Sequence, residues 1–76
     1  MIRTILIDDE NNALEVLEIL LKKYCPNVEI LEKCNGGKAG IDAIEKHQPD
    51  LVFLDIEMPY INGFDVLTAT KNYKYK

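Results

Sequence analysis

Asp8, Asp9 and Asp55 are the residues of this chain best placed to do chemistry. Asp8 and Asp9 directly follow the apolar run Ile5-Leu6-Ile7, and Asp55 directly follows Leu51-Val52-Phe53-Leu54. An acid at the end of an apolar run can simply cap what comes next. It can also be a reactive group held at the rim of a sheet. In an open parallel sheet, sites form beyond the C-terminal ends of the strands. If these two runs are neighbouring strands, their carboxylates converge. Left uncompensated they repel, and the pKa of one or more rises. A divalent cation resolves that conflict. Magnesium prefers oxygen donors, keeps several waters, and takes one or two carboxylates together with a phosphate oxygen. A carboxylate is also a nucleophile toward phosphorus, giving an aspartyl phosphate. A metal-anchored acidic cluster with one protruding Asp therefore suits phosphoryl transfer.

The other reactive residue types fit blander roles. His47 falls at a predicted helix end, where a cation complements the dipole. Cys25 and Cys34 have neither the Cys-x-x-Cys spacing nor the nearby His of a zinc site, and read as reduced thiols, Cys34 half-buried. Lys71, Lys74 and Lys76 read as a solvated tail. Tyr60, Tyr73 and Tyr75 read as surface or partner-facing aromatics. The formal charge of −4 argues against direct nucleic-acid binding by this segment. No apolar run approaches the ~18 residues of a membrane span, and the N-terminus lacks the pattern of a signal peptide. A cytoplasmic protein is expected.

Seventy-six residues allow one domain at most, and 47% hydrophobic with 29% charged residues suits a folded chain rather than a disordered one. Thr4–Ile7 is short, apolar and β-branched, which predicts a buried strand. Ala13, Leu14, Leu17, Leu20, Leu21 and Tyr24 recur at helical spacing, with acids crowding the start, lysines the end, and Pro26 closing the helix. Val28–Glu32 alternates, as a half-covered or edge strand does. Asn35-Gly36-Gly37 is a turn. A second helix fits Lys38–His47, weakened by Gly40 and ended by Pro49. Leu51–Leu54 is a strand apolar on every side chain. Gly63, read as a turn residue, opens a third helical pattern. The order is β-α-β-α-β-(α), which means an α/β fold with a parallel sheet and right-handed crossovers.

On these residues the chain resembles the receiver domain of bacterial two-component response regulators. The resemblance rests on "ILIDDE" at 5–10, "PDLVFLDIEMP" at 49–59 and "NGFDVL" at 62–67. It implies a flavodoxin-like (CheY-like) doubly wound sheet, here incomplete, with the strands in order 2-1-3 and the last two βα units lacking. It implies Asp55 as phosphoacceptor and Asp8, Asp9 and Asp55 as magnesium ligands, Asp8 mostly through water. The backbone carbonyl of Glu57 is the implied further ligand. A phosphohistidine on a sensor histidine kinase is the implied donor. The style of "IRTILIDDE" also resembles regulators with a downstream LytTR-type DNA-binding domain. The family's Ser/Thr after strand four and Lys after strand five have no counterpart. Losing the charge-assisted hydrogen bond of that Lys typically costs ~1.5–3 kcal/mol.

With order 2-1-3, Leu51–Leu54 becomes a bare sheet edge, which invites self-association or homodimerisation. Two rivals stand beside the receiver reading. A haloacid-dehalogenase-like phosphatase also places a nucleophilic Asp after an apolar strand and an acid two positions on, where Glu57 sits. A self-associating remnant with no phosphorylation is the other.

Overall fold

The computed structural model describes residues 1–76. Its elements are β1 (Ile2–Ile7), α1 (Asn11–Tyr24), β2 (Val28–Cys34), α2 (Gly37–His47), β3 (Leu51–Leu54) and α3 (Gly63–Ala69). The three strands are parallel in the order β2-β1-β3. This is the flavodoxin-like arrangement, with Thr4–Ile7 of the central strand β1 buried between helices on opposite faces.

Alternation along β1 divides the core. Ile5 and Ile7 face one side, packing with Cys34, Ala43, Ile44, Met58 and Val66. Leu6 faces the other, against Leu14 and Leu21 of α1. Gly40 is no defect of α2. A Cβ there would lie 2.6 Å from Ile7 Cδ1, so the missing side chain lets the helix close onto β1.

The structure departs from the sequence reading at several points. In α1 the inward stripe is Leu14, Leu17 and Leu21, whereas Leu20 and Tyr24 are exposed. No acid occupies the first turn of α1. Asp8 instead stays at the rim and accepts a hydrogen bond from Glu10 N–H at 3.0 Å. β2 runs to Cys34, because the register against β1 slips between Thr4 and Ile5: Thr4 pairs with Ile30, but Ile5 pairs with Glu32. This bulge turns Glu32 and Cys34 toward the α2 face. Cys34 becomes fully buried rather than half-buried. Glu32 meets His47 Nε2 at 2.9 Å, so His47 has a carboxylate partner as well as its place at the end of α2.

The C-terminal residues are also not a free tail. Val52 N–H donates to Lys76 O at 2.7 Å, and Lys76 N–H donates to Asp50 O at 2.9 Å, so Lys76 pairs along the first half of the supposedly bare β3 edge. Tyr73 and Tyr75 pack against the core, and the Tyr75 hydroxyl lies 2.7 Å from Thr70 Oγ1.

The burial of Cys34 has a chemical consequence. Burial first, and then the adjacent Glu32 carboxylate, push its thiol up to about 12. The thiolate is the reactive form. In the native protein a thiol reagent at mildly alkaline pH is expected to label Cys25, which is partly exposed, and to spare Cys34. Both should react after denaturation. Rapid native labelling of both would contradict this packing.

Candidate functional site

β1 and β3 end side by side, with Ile7 paired to Leu54. Asp8 and Asp55 are therefore the next residues along adjacent strands. Two backbone hydrogen bonds continue the sheet through them. Asp8 N–H donates to Cys34 O, and Asp55 N–H donates to Ile7 O, both at 3.0 Å. The two acids are consequently seated on three strands rather than on loops. One carboxylate oxygen from each of Asp8, Asp9 and Asp55 lies within 4.8 Å of the others. Sequence reasoning named all three, and the fold brings them together.

Local hydrogen bonds orient the donors. Asp55 Oδ1 accepts from Glu57 N–H at 3.1 Å, and Asp8 Oδ1 accepts from Glu10 N–H at 3.0 Å. Each turn ties one oxygen and leaves the other available. The Glu57 carbonyl accepts no hydrogen bond, so it too has free lone pairs. These oxygens are the hard donors that magnesium favours, and the residues fit such an ion.

The Asp9 carboxyl is held above its usual range. Withdrawal from water is the largest cause; the negative charges of Asp55 and Asp8 add to it, and a backbone N–H opposes it. Asp9 is open to solvent as a residue, so its crowding with Asp55 and Asp8 is the part that bears on function. No neighbouring cation acts on it.

The loop from Asp55 to Asn62 joins β3 to α3. Met58 is buried in the core, so it anchors this loop as well as shaping it. Asn62 and Asp65 form a reciprocal capping box at the start of α3, a pairing the sequence reading did not use, although Asn followed three positions later by Asp signals it. Tyr60 sits in the left-handed region at φ 66°, with its ring wholly in solvent. A non-glycine residue there is strained. Tyr60→Gly is expected to be neutral or stabilising, by up to about 1 kcal/mol, because strain is relieved and no packing is lost while glycine's larger unfolded-state entropy offsets part of the gain. Chemical denaturation would measure it.

This fold, with acids at the tips of two adjacent parallel strands, defines a receiver-type signalling domain. The chain belongs to the response regulator receiver domain family, which it matches over residues 4–76. It is 40% identical over 67 residues to the transcriptional regulatory protein BtsR of Shigella flexneri, an alignment covering 88% of this chain and 28% of that protein. The chain thus spans little more than a quarter of this curated relative. Among solved structures, the response regulator domain of Thermotoga maritima CheB superposes with a TM-score of 0.88 at 25% identity, covering 96% of this chain and 54% of that one. A LuxR-family DNA-binding response regulator from Staphylococcus aureus gives 0.86 at 30% identity, covering 95% and 59%. Receiver domains are signalling modules rather than classical enzymes. No helix is long and apolar enough to cross a membrane.

Proposed function

We propose that residues 1–76 are the N-terminal part of a receiver that takes a phosphoryl group on Asp55 in a magnesium-dependent reaction. The observation that carries this reading is the gathering of Asp8, Asp9 and Asp55 oxygens within 4.8 Å at the strand tips of a receiver-family chain. Asp8, Asp9 and Asp55, with the Glu57 carbonyl, are the residues that would hold Mg2+. The bound ion would offset the negative charge of the carboxylates and of the incoming phosphoryl oxygens. Glu57 N–H holds Asp55 Oδ1, so Oδ2 is the oxygen free to attack. Attack on a phosphohistidine of a sensor histidine kinase forms an O–P bond, breaks the P–N bond, and returns the electron pair and a proton to the imidazole. The product is an acyl phosphate. Output would be transcriptional, through a DNA-binding domain in the same protein, acting in the cytoplasm.

The test is incubation with Mg2+ and acetyl phosphate, followed by intact-mass analysis and peptide mapping. A slowly decaying, acid-stable, base-labile adduct on Asp55, absent from Asp55→Asn, is expected. Rapid turnover of phosphate esters would favour the dehalogenase-like phosphatase instead. No adduct would sink the reading for this chain.

Self-association is the second proposal, favoured by one observation. β3 has β1 on one side, and on the other only Lys76 near its start. The remaining outer edge can pair with a second copy. Sedimentation across a wide concentration range should show a growing dimer; a monomer throughout would refute it.

A further inference from the structure

Glycine at position 63 is not required by backbone conformation, because no glycine in the chain has a positive φ. Its reason is proximity. A Cβ at Gly63 would lie 2.8 Å from the carbonyl oxygen of Asp55 and 2.7 Å from Ile56 Cα. Backbone atoms of this kind cannot swing aside as a side-chain tip can. Gly63 N–H also donates to Ile56 O at 3.0 Å. The first residue of α3 thus rests directly on the peptide that follows the candidate phosphoacceptor. The capping box of Asn62 and Asp65, with hydrogen bonds of 3.0 and 2.9 Å, holds that end of α3 in place. At the far end of the same loop Gly37 makes a similar approach, its absent Cβ 2.6 Å from Ile61 O. Between the two contacts Tyr60 keeps its left-handed conformation with no help from its exposed ring. The loop's shape is therefore imposed from both ends.

The geometry points to Gly63 as a positioning residue for the acid site. By admitting α3 onto the Asp55–Ile56 peptide, it fixes the tilt of Asp55. It also keeps Glu57 N–H on Asp55 Oδ1, which leaves Oδ2 and the Glu57 carbonyl without a backbone donor. This inference deepens the magnesium-dependent reading above and rests on it.

The comparison that tests it is Gly63→Ala against Gly40→Ala. Both place alanine in a helix and share its gain in helix propensity. Both meet a close contact, but Gly40 meets the Ile7 side chain, with Cδ1 at 2.6 Å and Cγ1 and Cγ2 at 3.0 Å, rather than the backbone of the Asp55–Ile56 peptide. Magnesium affinity is read by calorimetry. Amide exchange at Glu57 is read by NMR in metal-free buffer. Gly63→Ala is expected to weaken Mg2+ binding about 10- to 100-fold, the usual cost of losing support behind metal ligands, and to speed Glu57 exchange. Gly40→Ala should leave both near wild type, whatever its melting temperature. Should Gly63→Ala not fold, Asn62→Ala decides. It releases the start of α3 without a new clash, and should move both readouts in the same direction.

Unchanged affinity and unchanged Glu57 exchange in the folded variant would overturn the proposal and leave Gly63 a packing residue. Equal losses in Gly40→Ala would do the same. If the wild-type chain bound no Mg2+, the metal reading would have failed, and Glu57 exchange would still decide the role of Gly63.

Discussion

In metal-free buffer at neutral pH, Asp9→Asn is expected to melt at a higher temperature than the wild-type chain, and saturating magnesium is expected to reverse that order. The folded state holds the Asp9 carboxyl above its usual range, through withdrawal from water and the negative charges of Asp55 and Asp8. An acid whose pKa is raised by folding binds its proton more tightly in the native state. Its favourable contribution is complete below the unfolded value and is lost as pH rises through the higher folded value. Above the folded value the carboxyl is charged in both states, and the repulsion at the rim is felt in full. Asparagine removes it. The advantage of the variant should therefore shrink as pH falls through the carboxylate range. With magnesium the balance inverts, because an ion that binds only the folded state at 100 times its Kd adds about 2.7 kcal/mol. For a domain near this size that corresponds to roughly 10–20 °C. Asp9→Asn lacks one of the proposed ligands and should gain much less. Calorimetry across a pH series, with EDTA and then with magnesium, checks both halves. A variant that melts lower than wild type without metal would refute the crowding argument.

The candidate site was unusually legible because its acids are anchored by sheet register rather than by loop conformation. Runs of apolar residues located the ends of β1 and β3, and the acids follow directly. What periodicity could not supply was which strands are neighbours; that came from the resemblance to receivers. The orientation of α1 was also hidden. Its apolar residues make two adjoining stripes, Leu14, Leu17 and Leu21 beside Val16, Ile19 and Leu20, and a period of 3.6 alone does not choose between them. β2 was misjudged at its end because one extra residue in the pairing reverses which face every later side chain occupies. That slip carried Cys34 into the core. The glycines were read through propensity and turn chemistry, whereas Gly40 and Gly63 are set by distances between elements far apart in sequence. The pairing of Lys76 with β3 was missed because a lysine-rich stretch reads as solvated, although its backbone can pair regardless of its side chains.

Leu6→Ala is expected to remove a large share of the stability of the chain. Leu6 is wholly buried and packs with Leu14 and Leu21, which are 4% and 7% exposed, to form the only core on the α1 face of the sheet. Truncating a buried leucine to alanine costs about 2–5 kcal/mol, through lost transfer energy and the cavity left behind. At the usual 0.05–0.15 kcal/mol per residue, a chain of this size has roughly 4–11 kcal/mol in total. Leu6 also pairs with Phe53 on β3 and Lys33 on β2, two residues before Asp8. Loss of packing there loosens the strand that carries the acids. Leu20→Ala is the matched control, since Leu20 belongs to the same apolar pattern in the sequence but is 47% exposed. Its cost should stay within about 0.5 kcal/mol. Urea unfolding followed by circular dichroism measures both, and the midpoint of Leu6→Ala should fall steeply with little change in slope if two-state melting survives. Magnesium should recover part of the loss by binding only the folded population. If Leu20→Ala proved as costly as Leu6→Ala, α1 would have to present its other stripe to the sheet.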